Sequence, residues 1–325
     1  MTGRPEIVVT GGAGAIGSCL VRRLLDRNAA RIVVVDDLSS GYEWLLPADP
    51  RVQFVKGDVC SLSDYRLNLE HPIVFHLAAF FANQNSVDHP REDLHTNGFG
   101  TLTALEWATS CGARRFVYAS AGCSIVGHGA ETAIREDMPV SLILDTPYQI
   151  TKALGEFYCN YFDAQVPTVR CRFFNSYGPG EMPGRYRNVI PNFIWRALHG
   201  EPLIITGTGE ETRDFIFVDD LVTGMMAAAD SPAARGEAFN LGTGVQTRIV
   251  DLAEMVLKAC RSTSRIEFAL RRPWDKSTHR EANISKARTI LGFVPAVDVA
   301  EGIGRTVEWF RENRAQIEGA LGIPR

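Results

Sequence analysis

The sequence predicts an α/β protein built on a doubly wound parallel sheet, with a smaller C-terminal α+β lobe. Three observations lead there. Short β-branched runs alternate with helix-length stretches through the first half of the chain, the pattern of right-handed βαβ units. The runs are nearly continuous in apolar character, as strands buried on both faces of a parallel sheet are. A glycine cluster follows the first run and opens the first helix, the arrangement of a Rossmann dinucleotide-binding turn.

Taken in order, Ile7-Val8-Val9 is the first strand and Gly14 to Arg27 the first helix. Ile32 to Val35, Val52 to Val55 and Ile73 to Leu77 read as further strands, followed by a helix over Leu94 to Cys111 and a strand at Phe116 to Ala119. Pro147 suits a helix start, and a long helix is expected to run to Ala164 before a strand at Thr168 to Phe173. Asn175 to Arg187 holds three Gly and two Pro in thirteen residues and reads as a loop. Beyond it the pattern loosens, with helices expected over Ile249 to Cys260 and Val299 to Asn313. The expected division is a cofactor domain over 1–175, to which segments at about 213–250 return, and a discontinuous second lobe over 176–325.

Composition bounds the function. Hydrophobic residues at 45% and charged residues at 22% supply a sizeable core and argue against long disorder. The net charge of −4, from 34 basic and 38 acidic residues, leaves no basic excess to hold a nucleic-acid backbone. The seven cysteines form neither a CxxC pair nor a His/Cys set at zinc-like spacing, so reduced thiols and no metal site are expected. No apolar run approaches the roughly 20 residues that span a bilayer, and the N-terminal run is too short for a signal peptide. A cytoplasmic location is the resulting expectation.

Thr10 to Gly17 carries the first chemistry. Gly11, Gly14 and Gly17 permit a tight turn, close backbone approach to a pyrophosphate and packing of helix on sheet. The helix N-terminus at Ala15 and Ile16 then offers N–H groups and a positive dipole end to the phosphates. Asp36, nineteen residues after Gly17 and at the end of the second strand, is placed for the adenosine ribose hydroxyls. Asp37 stands where a 2′-phosphate binder carries a cation, which favours NAD over NADP. Asp58 and Val59 follow the third strand, with the Asp58 carboxylate able to accept from the adenine amino group. Leu77, Ala78 and Ala79 end the fourth strand with residues small enough for backbone to lie against the cofactor. Tyr148 and Lys152 stand at i and i+4 on one helix face. A neighbouring ammonium lowers a phenol from its ordinary pKa of about 10, so Tyr148 suits a general base toward a substrate hydroxyl while hydride passes to the cofactor.

Together these residues resemble the extended short-chain dehydrogenase/reductase family, in its nucleotide-sugar epimerase/dehydratase branch. The resemblance continues through Asn97, Arg172 to Pro179, Val189-Ile190-Pro191, Arg213 to Asp220, Phe239 to Gly242 and Ile284 to Ala287. It implies NAD in the first lobe and a nucleoside-diphosphate sugar, UDP being favoured, in the second. It implies that Asn175 contacts the sugar or diphosphate and that Arg213 and Arg272 hold the diphosphate, with Arg187 and Val189 beside them. Asn97 is expected to tether backbone near the cofactor, and Phe80 to Asn85 to line the sugar side. A homodimer follows from the family, through helices around Leu94 to Cys111 and Gly155 to Ala164, with Trp107, Phe157 and Tyr161 either contributing or belonging to the internal core.

The chain departs from the family at Ala121, where a Ser or Thr hydroxyl usually meets the reacting sugar hydroxyl. Ser120, Cys123 and Ser124 lie nearby. Ser124 or Cys123 is expected to replace that hydroxyl, or Tyr148 acts without it. The same loop lacks the Asp-Glu pair of the dehydratases and the Glu of the decarboxylases. The implied reaction is therefore NAD-dependent C4 epimerisation through a transient 4-keto sugar. The alternatives are a dehydratase, a 3,5-epimerase using Cys123, or a non-catalytic NAD-sensing protein.

Overall fold

The computed structural model describes residues 5–126 and 133–322. Six strands form in the order expected: β1 Glu6–Thr10, β2 Arg31–Asp36, β3 Val52–Lys56, β4 Ile73–His76, β5 Arg115–Ala121 and β6 Thr168–Phe173. A seventh, Ala238–Leu241, joins at the far edge, giving the spatial order Ala238–Leu241, β6, β5, β4, β1, β2, β3. Every pairing is parallel. Strand order reverses between β1 and β4, so a crevice opens at their carboxyl ends, the place where such sheets bind ligands.

Both faces of the sheet are covered, which is why its strands carry Val and Ile on successive positions. On one face Cys19, Leu20 and Leu24 of helix Ala15–Asp26 share a core with Leu221, Val222 and Met225 of helix Val218–Asp230. On the other, Ala104, Leu105 and Ala108 pack with Cys159 from helix Pro147–Phe162. Trp107 belongs to this internal core and is only 8% exposed, the second of the two places open to it. The stretch read as one helix divides into a π-helical turn, Leu94–Phe99, and the α-helix Gly100–Ser110.

Helix Pro147–Phe162 begins where Pro147 predicts. Thr146 caps it by accepting from Gln149 N–H, which meets one of the N–H groups a helix start leaves orphaned. It stops two residues short of Ala164, and Asp163 turns back to accept from Thr168 N–H at 2.8 Å.

The second lobe has its own core, in which Ile190, Phe193 and Ile194 meet Leu252, Val256, Ile303 and Phe310. Asn175–Tyr177, expected to be loop, is a short strand paired in parallel with Phe215–Phe217. The glycines and prolines that signalled a loop begin only at Gly178, and the partner strand lies 40 residues away, beyond the reach of a local pattern. Among the described residues six cysteines are free thiols, four of them buried, and no helix is long and apolar enough to cross a membrane.

Candidate active site

The carboxyl ends of the strands around the crevice enclose a cavity of about 280 Å³. Gly11, Gly14, Ala15, Ile16 and Gly17 line it, together with Tyr148 and Lys152. Asp36, Asp58, Val59, Leu77, Ala78 and Ala79 line it as well. The glycines are sterically required. Gly11 has φ +70°, and a Cβ there would lie 2.6 Å from Ala78 N, while one on Gly17 would lie 2.3 Å from the Gly11 carbonyl. Gly14 is the extended N-cap of helix Ala15–Asp26, whose first-turn N–H groups have no intrahelical acceptor and face the cavity.

Asp36 is held rigidly. Its two carboxylate oxygens accept from Ala13 N–H and Leu38 N–H, each at 2.9 Å. Burial raises its pKa, and these two bonds oppose the rise. Each oxygen keeps a lone pair for a hydroxyl donor. A dipole-positive helix end, an acceptor one strand away and a small-residue floor together fit a dinucleotide.

Tyr148 and Lys152 project from helix Pro147–Phe162 toward the end of β5. Lys152 is 4% exposed, and its Nζ donates to the Ala119 carbonyl at 2.9 Å. The ammonium sits 5.7 Å from the Tyr148 ring centroid. Burial lowers the Lys152 pKa to about 8, with Asp93 pulling the other way. Ser86 Oγ accepts from the Tyr148 N–H at 3.0 Å, and Phe81 meets the Tyr148 ring edge-on.

Two buried polar groups brace this helix. Asn97 Oδ1 accepts from Phe80 N–H at 2.8 Å and its Nδ2 donates to the Phe80 carbonyl at 3.2 Å, the backbone tether expected of it. Asp93 accepts from Thr151 Oγ1 and Asn97 Nδ2, each at 2.8 Å. Burial pushes Asp93 up to about 6. The pattern of the sequence did not single out Asp93, because an acid before an apolar helix usually reads as a solvated turn.

Ala121 ends β5 on the cavity wall. The Ser120 hydroxyl donates instead to Glu156 Oε1 at 2.5 Å. Glu156 in turn takes a two-pronged pair from Arg172, at 2.9 and 2.7 Å, with both side chains about 5% exposed. The Ser120 proton is thus committed to a buried ion pair. Cys123 and Ser124 fall on the short helix Gly122–Ile125, and their side chains lie outside the described residues.

A second cavity of about 610 Å³ adjoins the first. Val189, Arg213 and Arg272 line it, and Asn175 and Arg187 line both. Arg213 pairs with both oxygens of Asp275, at 3.0 and 3.1 Å. Arg272 lies over the Trp274 ring, and Trp274 Nε1 donates to Gln84 Oε1 at 2.8 Å. The loop bearing Arg272 therefore reaches across to the segment that follows Phe80. Phe81 to Asn83 line the first cavity, and Asn83 and Gln84 the second.

Two residues of these walls were missed from the sequence. Arg280 lines both cavities, its Nη2 donates to Ser277 Oγ at 2.9 Å, and its buried Nε has no hydrogen-bond partner among the described residues. Glu181 lines the first cavity, accepts a long 3.4 Å bond from Asn188 N–H, and is pushed by burial up to about 7 against the pull of Arg187 and Asn188. Both sit in irregular loops with no periodicity to mark them.

Comparison with known proteins agrees with this geometry. The NAD dependent epimerase/dehydratase family matches residues 7–242. A UDP-glucose 4-epimerase of Mycolicibacterium smegmatis is 38% identical over 317 residues, covering 95% of this chain and 99% of that protein. The solved epimerase Mth375 of Methanothermobacter thermautotrophicus superimposes with a TM-score of 0.93 at 45% identity, over 98% of this chain and 95% of that one. The Bordetella bronchiseptica enzyme WbmF, solved with NAD+ and UDP, does so with a TM-score of 0.84 at 35% identity, over 98% and 96%.

Proposed function

This chain belongs to the NAD dependent epimerase/dehydratase family, and we propose that it is an NAD-dependent epimerase inverting C4 of a nucleoside-diphosphate sugar, with UDP as the favoured nucleotide. The observation that carries the reading is the convergence, in one cavity, of Tyr148 and Lys152 with the glycine turn and Asp36. NAD-bound WbmF and the UDP-glucose 4-epimerase relative support it.

In this reading the helix end at Ala15 and Ile16 holds the pyrophosphate, Asp36 the adenosine ribose, and Asp58 with Val59 the adenine edge. Leu77 to Ala79 lie along the cofactor. Held there, NAD would supply a reversible hydride acceptor for the sugar carbon. Tyr148 takes the proton from the 4-hydroxyl and gives it back. Lys152, a cation held against the Ala119 carbonyl, favours the phenolate. The Phe81 to Gln84 segment borders the space in which the keto sugar turns.

The second lobe, discontinuous over 176–325, holds the nucleotide. Arg213, Arg272 and Arg280 face the diphosphate with guanidinium groups suited to two-pronged phosphate contacts. Arg187, Val189 and Asn175 complete that wall. With Ser120 spent on Glu156, Tyr148 either works unaided or is helped by Ser124 or Cys123. We also read the chain as a homodimer. Ile150, Phe157 and Tyr161 recur along one face of helix Pro147–Phe162 and are 54–71% exposed, a stripe that a second copy would cover.

Incubation with UDP-, GDP-, CDP- and dTDP-sugars, followed by NMR of the products, tests the function. A C4 epimer formed without net reduced nicotinamide is expected. A dehydrated keto product, or one equivalent of reduced cofactor released per sugar, overturns it.

A further inference from the structure

Beside Asp58, on the wall of the first cavity, three side chains of different chemistry converge. Asp58, Cys60 and His95 bring a carboxylate oxygen, a thiol sulfur and an imidazole nitrogen within 4.8 Å of one another. Asp58 caps the 3-10 segment Val59–Asp64, with Oδ1 accepting from Cys60 N–H at 2.8 Å. That bond turns Oδ2 toward His95 Nε2, 3.8 Å away. Cys60 Sγ stands 3.4 Å from the His95 carbonyl, and the His95 ring is stacked on Phe99 at 5.8 Å. The π-helical turn Leu94–Phe99 carries both of those rings.

We propose that Asp58, Cys60 and His95 form a zinc-binding site whose occupancy opposes NAD binding. The donor set is one nitrogen, one sulfur and one oxygen, which suits a borderline-soft cation in tetrahedral geometry, with water as the fourth ligand. Tetrahedral zinc holds its donors about 3.3–3.8 Å apart, given bonds of about 2.0–2.3 Å. The present spacing of up to 4.8 Å exceeds that by about 1 Å, and Asp58 and His95 are about half exposed. The thiol binds as thiolate, so one proton leaves to solvent as the metal enters. Asp58 is also the carboxylate proposed to accept from the adenine amino group, so this antagonism rests on the cofactor reading above. By linkage, zinc and NAD weaken each other by the same factor.

Calorimetric titration of tag-free, metal-stripped protein with Zn²⁺, alone and with saturating NAD, tests both parts. One saturable site per chain is expected, weakened at least about tenfold in Cys60→Ser and in His95→Gln, with thermal unfolding of each variant confirming that it folds. Co²⁺ in place of zinc should show a thiolate charge-transfer band that Cys60→Ser removes. No saturable binding, or binding indifferent to both substitutions, overturns the site. Zinc affinity unchanged by NAD, where a separate titration shows NAD bound, overturns the antagonism. Failure of NAD to bind in that separate titration counts against the cofactor reading, while the Co²⁺ band still decides the metal site.

Discussion

One wall of the cavity is made from short contiguous motifs, each at the end of a β-strand, whereas the other draws on segments scattered through the second half of the chain that only tertiary folding brings together. Gly11 to Gly17, Asp36, Asp58 and Leu77 to Ala79 follow β1, β2, β3 and β4 in turn, and the parallel sheet brings those ends side by side. Arg187, Arg272 and Arg280 come from irregular stretches and Arg213 from the two-residue strand Thr212–Arg213, and the partners of Arg213 and Arg187, Asp275 and the Ser40 carbonyl, lie far along the chain. A site with one prebuilt wall and one assembled wall can hold a common cofactor while its sugar pocket varies. The general lesson is that regular backbone fixes the chemistry and irregular backbone fixes the substrate.

Tyr148→Phe probes the seam of the two walls most severely. It should lower kcat by about 10²–10⁴-fold, the usual worth of a positioned acid–base group, and leave NAD affinity intact by equilibrium titration. A variant that keeps most of its turnover would place the proton transfer elsewhere and break the division drawn here.

Glu156→Gln asks whether the cofactor wall depends on charge buried behind it. Arg172 would be left without its counter-ion at about 5% exposure. Breaking such a pair costs about 3–5 kcal/mol, to be measured by denaturant unfolding. The same change weakens the acceptor of Ser120. If stability is unaltered, the pair contributes no support to the wall.

Glu181→Gln sharpens the comparison on the assembled wall. Its folded pKa of about 7 lies above the ordinary 4.5, so the folded state binds this proton more tightly than the unfolded chain does. Its contribution is fully present below about pH 4.5 and is lost as pH rises through about 7. That window is worth on the order of 3 kcal/mol. The Gln variant should flatten the fall in stability between pH 4.5 and 7, read from unfolding at several pH values. An unchanged profile would mean that Glu181 ionises freely in the folded protein.

The first wall was legible because each part leaves a local trace. Glycines at 11, 14 and 17 are required by contacts a Cβ would break, and Pro147 with Thr146 marks the start of the helix that carries Tyr148. Asn97 was legible as a tether through its place in the family pattern. Trp107 was left open between an outer face and the core because an aromatic residue on a helix does not declare which neighbour covers it. Asn175–Tyr177 was taken for loop because its pairing partner is remote. Arg280 and Glu181 gave no signal, since a charged residue in a loop is ordinarily solvated and only burial makes it informative.

By itself the sequence determined the parallel sheet, the order of its first six strands, the glycine cradle, Asp36 and the Tyr148/Lys152 pair. These rest on periodicity, on steric need and on spacing within one turn or strand, all of which are local. Only the tertiary structure decided that Ser120 is bound to Glu156, that Arg280 holds an unpartnered donor at the junction of two cavities, and that Asp58 and Cys60 meet His95. Each of these joins residues far apart in the chain, and only burial and distance, which folding alone supplies, set what their side chains can do.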